Sequence, residues 1–427
     1  MSERSSPEST REKKRARKSG GCYHCSSSLH RAKQCPNATC RICGETGHDA
    51  GGCAKRPLSP VDLGAFKSTN DTSGGGFKYL ELFAGMGGFR VALDRLKGKC
   101  VFASELDRFC VKNYQTNFGD RPAGDICKIN TDQIPNHDLL VGGFPCQPFS
   151  SSGSGLGVND PKGRGILFRE IVRILKEKQP KAFLLENVRG LFLHEDGKTL
   201  KLVVKELEES GYVVKYEMLD AVKLLPQERC RLFLVGIRTD LKKEQAFQFP
   251  IIPDLKRGIQ DILHHGIKED KLTLNEHQLD KVRAQRYTKE HPEARFLSDP
   301  KTAAKTIQSS YNKYMVGSQF IPVEVGKDDK WRRFSSREVA RLQGFPEDFV
   351  LCRERAIHMV GNAVAPPIIA MIAAAVLEYI GLGCGDKDIH DWGWGVTKTL
   401  LLAASPDDSR REALKYTLSK VIGNEFQ

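Results

Sequence analysis

The chain predicts an α/β fold with a doubly wound, mostly parallel sheet, and three observations predict it. From Phe77 onward, short apolar runs alternate with segments of helical pattern. The first run ends in the turn Glu81-Leu-Phe-Ala-Gly85-Met-Gly87-Gly88, which opens a helix. A later run, Asp138-Leu-Leu-Val-Gly142, leads into a proline-bracketed turn that carries Cys146. Active sites of open α/β sheets lie just beyond the carboxyl ends of such strands, so this turn sets a thiol where chemistry is expected.

In order, the expected elements are a strand over residues 79–83, a helix to about residue 96, a strand over 100–104 and a helix over 107–117. A short strand follows at 139–141, where every position is apolar, the pattern of a buried parallel strand. Then come a helix over 165–178, a strand over 182–186, a helix over 198–210 and strands near 213–219 and 232–237. After Arg238 the periodicity weakens while Pro, His and Lys rise, which marks a different subdomain over about 241–333. The helical pattern returns at 336–342, and a last long helix of ordinary length covers about 367–380. Residues 383–427 form an extension whose only signal is a short helix after Asp408.

With 427 residues, 40% of them hydrophobic, the chain can bury one large core, or one core and a small module. No run of eighteen or more apolar residues occurs and the charged start is no signal peptide, so a soluble intracellular protein without a membrane partner is expected. The thirteen cysteines are then thiols or metal ligands. A formal net charge of +13 points to a polyanionic partner. Twelve basic against five acidic residues in the first sixty put more than half of that excess ahead of the sheet. Within residues 1–20, expected to be a disordered basic tail, Lys13-Lys-Arg-Ala-Arg-Lys18 matches a nuclear-localisation cluster, with a solvated tail as the equal alternative.

Residues 21–54 carry one ligand spacing twice: Cys22, Cys25, His30 and Cys35, then Cys40, Cys43, His48 and Cys53. Three thiolates and one imidazole make a closed tetrahedral Zn²⁺ site, and so short a segment has no other means of ordering itself, so two structural Zn²⁺ ions are expected. Both repeats resemble zinc knuckles of the retroviral nucleocapsid type, although Ser26 and Leu29 stand in the first where the second has Gly44 and Gly47. Such knuckles imply single-stranded nucleic acid or RNA as a partner. Residues 55–76, rich in Ser, Thr, Gly and Pro, read as a linker.

Gly85, Gly87 and Gly88 let backbone approach a ligand at a helix N-terminus. Glu105 follows at the end of the second strand, where Rossmann-like folds place an acid on ribose hydroxyls. Asp125, beyond a third expected strand position, would accept from an adenine amino group. No basic residue and no Lys-Ser/Thr lies in the glycine loop, which favours a cofactor without phosphates. S-adenosylmethionine fits, with its sulfonium expected beside Glu81 and Phe83.

Phe83-Ala-Gly-Met-Gly-Gly88, Gly143-Phe-Pro-Cys-Gln-Pro-Phe-Ser150, Glu186-Asn-Val188, Gln227-Glu-Arg-Cys-Arg231, Arg337-Glu-x-Ala-Arg-Leu-Gln-Gly-Phe-Pro346 and Gly361-Asn-Ala-Val364 resemble, in order, the motifs of the cytosine-5 methyltransferases, the prokaryotic-type DNA-modification enzymes above all. The resemblance spans about residues 77–382. It implies a Rossmann-like class I S-adenosylmethionine-dependent methyltransferase, monomeric, with residues 241–333 as a small target-recognition subdomain and DNA as substrate. Cytosine C5 is a poor nucleophile, so a thiolate must first add to C6, and Cys146 is the matching residue. Glu186 matches the group that binds the pyrimidine edge and favours protonation at N3, with Asn187 fixing that strand end. Arg229 and Arg231 match residues that hold the base carbonyl, the target phosphate or Glu186 itself. Phe83, Glu105, Asp125, Ile126, Pro145, Leu167, Asn362 and Val364 match cofactor-contacting positions, beside the glycines. Gln147, Ser152, Arg164 and Thr306 match positions that engage the nucleic acid.

Three departures stand out. Cys230 lies between the two arginines, the turn Asp160-Pro-Lys-Gly-Arg-Gly165 is two residues longer than the family's, and the variable segment is compact. Two other readings stay open: an RNA methyltransferase, to which Tyr311-Asn-Lys-Tyr314 is faintly similar, and a non-catalytic nucleic-acid-binding protein on a methyltransferase core.

Overall fold

Residues 76–144, 166–263, 272–314, 318–324 and 327–383 are described by a computed structural model. Its first half runs β1 (Lys78–Leu82), α1 (Gly88–Arg95), β2 (Lys99–Ser104), α2 (Arg108–Phe118), β3 (Leu139–Gly143), α3 (Ile166–Lys178), β4 (Ala182–Val188), α4 (Arg189–Leu193), α5 (Lys198–Glu208) and β5 (Tyr212–Asp220). There follow β6 (Gln227–Glu228), β7 (Cys230–Arg238), α6 (Glu276–Arg283), α7 (Arg286–Glu290), β8 (Ala304–Lys305), β9 (Ile321–Glu324), β10 (Lys327–Arg332), α8 (Ser336–Leu342), α9 (Ala356–Asn362) and α10 (Pro366–Tyr379).

The main sheet has the order β2-β1-β3-β4-β7-β5. β2, β1, β3 and β4 are parallel, whereas β7 runs antiparallel to both β4 and β5. From β1 the chain winds to β2 on one side and to β3 on the other, so the carboxyl ends of β1 and β3 flank the crevice in which such sheets bind ligands. Tyr79, Val141, Leu184 and Val235 face a core shared with α1 and α10. Their neighbours Leu80, Leu140, Leu185 and Leu234 face a second core under α3 and α5. Burial on both sides explains why these runs lack polar alternation. At Gly236 of β7, a Cβ would lie 2.0 Å from the Phe183 ring, so only glycine lets the two strands pack there.

Helix boundaries follow from local chemistry. Asp107 caps α2 by accepting from the N–H groups of Phe109 and Cys110, and Gly119 ends it in a left-handed conformation. Ser335 and Glu338 form a capping box on α8, and the buried Glu338 also takes Arg332 through two hydrogen bonds of 2.8 and 2.9 Å, tying β10 to α8. The stretch Ala356–Tyr379 is apolar and long enough to cross a membrane by composition, but it is mostly buried within the fold, as befits core helices.

No ladder forms ahead of Asp125; Ala123 makes a single parallel bridge to Ser104, and Asp125 caps a short turn over Ile126–Lys128 instead. Leu241, Phe247, Ile252 and Leu255 pack with α10 on the main core, while the small core of Leu274, Leu279, Val282, Phe320 and Trp331 belongs to α6 and the β9–β10 hairpin.

Candidate active site

Beyond the carboxyl ends of β1, β2, β3 and β4 lies a cleft of ≈ 420 Å³. One wall is made largely of backbone. Phe83 leaves β1 with a φ of +53°, which breaks the strand's alternation and turns its side chain to the cleft, whereas Glu81 points the other way into the α1–α2 layer. The three glycines then do three different jobs. Gly85 (φ +56°) lines the cleft with open space where a Cβ would be. Gly87 (φ +91°) has the Phe118 ring 2.3 Å from that position, and Gly88 has the Val364 side chain at 2.7 Å. Gly87, Gly88 and Val364 therefore pack the loop from behind, and none of them lines the cleft. Glu105 braces the loop as it lines it, accepting from Gly85 N–H and Asp107 N–H at 2.7 Å each. Burial raises its carboxyl above the ordinary value despite those bonds. Leu106, 73% exposed, Asp125, Ile126, Leu167 and Asn362 complete this side.

The opposite wall is built of buried charge. Gly143 of β3 pairs with Glu186 of β4, and a Cβ on Gly143 would come 3.4 Å from Glu186 Oε2. Arg231 Nε lies 3.1 Å from Glu186 Oε1. Burial nevertheless pushes the Glu186 carboxyl up, with Arg231 and Arg229 opposing it. Arg229 is 3% exposed and donates through Nη2 to the carbonyls of Gly361 (3.2 Å) and Ala363 (2.6 Å), while its Nε and Nη1 have no hydrogen-bond partner among the described residues. Burial and the neighbouring Arg231 press its guanidinium below the usual value. Asn187 donates to the Phe144 carbonyl at 3.2 Å, and so fixes the last described residue before the Cys146 turn. Thr306 donates to the Glu228 carbonyl at 2.6 Å, next to Arg229.

Residues 77–378 match the family model described as C-5 cytosine-specific DNA methylase. The chain belongs to that family. It is 39% identical over 315 residues to the type II methyltransferase M.DsaV of Dactylococcopsis salina, covering 71% of this chain and 87% of the relative. It is 41% identical over 314 residues to M1.ScrFI of Lactococcus lactis subsp. cremoris, covering 71% and 79%. Among solved structures, the S. pombe Dnmt2 methyltransferase superposes with a TM-score of 0.56 at 18% identity, covering 71% of this chain and 98% of that one, which supports the fold. The protein is thus an S-adenosylmethionine-dependent DNA (cytosine-5) methyltransferase.

In this methylase the cleft brings together Phe83, Gly85, Glu105, Asp125, Ile126, Leu167, Glu186, Arg229, Arg231 and Asn362. Pro145, Cys146, Gln147, Ser152 and Arg164 lie outside the described residues. So do Cys22, Cys25, His30, Cys35, Cys40, Cys43, His48 and Cys53; among the described residues no three His, Cys, Asp or Glu side chains gather to hold a metal ion. Sequence reasoning missed Leu106, Asp107, Cys110 and His358, which also line the cleft. Leu106 had a usable signal, an apolar residue directly after the acid that ends β2; His358 had none.

Proposed function

We propose that Cys146 adds as a thiolate to C6 of a cytosine turned out of the duplex, while Glu186 gives a proton to N3. The observation that carries this reading is the Glu186 carboxyl, buried, held up in pKa and clamped by Arg231, one strand pairing away from the segment that leads to Cys146. A carboxyl whose pKa burial raises can, in that position, pass a proton to the ring as thiolate addition pushes an electron pair into it. The Nε and Nη1 donors of Arg229, unpaired among the described residues, suit the base carbonyl. S-adenosylmethionine supplies a methyl group carried on a sulfonium; Phe83, Gly85, Glu105, Leu106, Asp125 and Asn362 would hold it, and the open face of Gly85 together with a loop free of cations fits a cofactor without phosphates. C5 gains the methyl group, with S-adenosylhomocysteine as the leaving group, and loses its proton to a base; the Cys146–C6 bond then breaks to restore the thiolate as N3 returns its proton to Glu186. Incubating the enzyme with S-adenosylmethionine and duplex DNA containing 5-fluorocytosine should give a complex that survives denaturation. Equal trapping by Cys146→Ser would remove Cys146 from the mechanism. RNA and single-stranded DNA run in parallel test the substrate class.

Two zinc knuckles at residues 22–53 complete the reading, each binding an unstacked base and tethered to the catalytic domain by the linker. Their support is the repeated Cys-Cys-His-Cys spacing. Metal analysis should find two Zn²⁺ per chain. Deleting residues 1–60 should leave turnover at saturating DNA intact while weakening affinity and flattening its salt dependence. Absence of zinc would end this part of the proposal.

A further inference from the structure

A chain of polar contacts crosses the mouth of the cleft, and the reaction proposed above makes no use of it. Glu105, which accepts from Gly85 N–H, also accepts from Asp107 N–H. The Asp107 carboxylate lies 3.4 Å from Arg355 Nη1, and Arg355 Nη2 lies 3.0 Å from His358 Nε2. An arginine only donates, so His358 Nε2 must accept and the ring must be neutral, with its proton on Nδ1. A backbone hydrogen bond to Ser309 engages the ring as well.

The segment ahead of α9 is clasped to α2 independently. Asn113 accepts from Cys352 N–H at 2.8 Å, and Asn117 accepts from Val350 N–H at 2.7 Å. At the far end of α9, a Cβ on Gly361 would lie 2.6 Å from Ser309 N, so the loop after Thr306 presses directly on the helix. The Gly361 carbonyl in turn holds Arg229. One seven-residue helix therefore touches the cofactor wall, the recognition-side loop and the catalytic arginine.

We propose that His358 is a positioning residue: neutral, it links Arg355 to Ser309 and keeps the Glu105 wall in register with the loop after Thr306, and protonation releases that register and weakens cofactor binding. Facing the ring are Arg355 and Asp107 at the starts of α9 and α2, and Lys313 on the turn after Ser309. Burial first, then Arg355, holds the ring below its ordinary value, with the Ser309 bond and Asp107 opposing. The neutral form thus prevails near neutrality, and release belongs to the range below about pH 6.5.

This inference rests on the cleft being the cofactor site, so its test carries a control for that reading. S-adenosylmethionine binding is measured by calorimetry on the full chain at about pH 7.5 and about pH 5.5. Wild type should lose affinity several-fold across that interval and by less than about tenfold, the limit set by an unshifted ring. His358→Gln keeps an acceptor and a donor but cannot titrate, so it should bind normally at the higher pH and lack the acid loss. His358→Ala and Arg355→Ala should each weaken binding already at the higher pH, and the double variant should be no worse than either, since one contact is broken once. An acid loss retained in His358→Gln, or additive single variants, would overturn the proposal. Glu105→Ala at the higher pH is the control: unchanged binding there removes the cofactor reading of the cleft and this inference with it.

Discussion

The two walls of the cleft solve different problems with different materials. The wall around Gly85 is made of backbone: a left-handed turn, a glycine open to the cavity and an acid satisfied by two peptide N–H groups. The wall around Glu186 is made of charge removed from water, with two arginines for one carboxyl and none of the three more than lightly exposed. Shape recognises a cofactor whose groups do not change until the methyl group leaves, whereas buried charge answers density that develops only during reaction. The comparison teaches that binding and turnover are separable by wall.

The sharpest way to break it is Glu186→Gln. Turnover should fall by about 10²- to 10⁴-fold with S-adenosylmethionine affinity unchanged, because only the charged wall is touched. Single-turnover methyl transfer alongside calorimetry checks both halves, and a lost cofactor affinity would merge the two walls. Glu105→Ala is the mirror experiment: it should weaken S-adenosylmethionine binding by about 10- to 100-fold and leave turnover at saturation close to wild type, since a group hydrogen-bonded through charge contributes about 1.5–3 kcal/mol.

Within the backbone wall, Gly87→Ala should destabilise the fold more than Gly85→Ala. Both carry the left-handed penalty of about 1–2 kcal/mol, but only the first drives a methyl group into Phe118. Denaturant midpoints decide this, and equal losses would mean that Phe118 moves aside. Last comes Glu81, whose carboxyl burial pushes up to about 8. The folded state then holds a proton that the unfolded chain has lost, so this group's contribution is full below about pH 4.5 and fades towards about pH 8, by at most about 1.4 kcal/mol per pH unit. In Glu81→Gln that decline should be missing from a pH series of melting curves.

Much of this was legible in the sequence, and what was not has physical reasons. Strand after strand appeared because runs buried on both faces are apolar at every position, and the end of β4 was marked by its switch to Glu186-Asn187. Glu81 was misplaced beside the sulfonium because a period of two puts residues 81 and 83 on one face; the left-handed backbone of Phe83 cancels that inference and is invisible in its side chain. Arg229 and Arg231 looked like a matched pair, yet one clamps Glu186 and the other reaches carbonyls more than 130 residues away. At Asp125 the backbone makes only a single bridge, Ala123 to Ser104, before the acid's own side chain caps a turn, a local detail that carries no periodic signal. His358 could not be found at all, since its meaning depends on Arg355 and Asp107 meeting across 248 residues.

The placement of β7 has a bearing on how the protein comes into being. In order of synthesis β5 is finished before its only neighbour in the sheet exists, and β7 must then enter between β4 and β5. Its first residues bring the arginine partner of Glu186, so the strand that closes the sheet also delivers the counter-charge of the site. A nascent or prematurely stopped chain that ends between Glu186 and Glu228 holds Cys146 and Glu186 but neither Arg229 nor Arg231. The Arg231 counter-charge of Glu186 is therefore in place only once the strand that completes the sheet has been made.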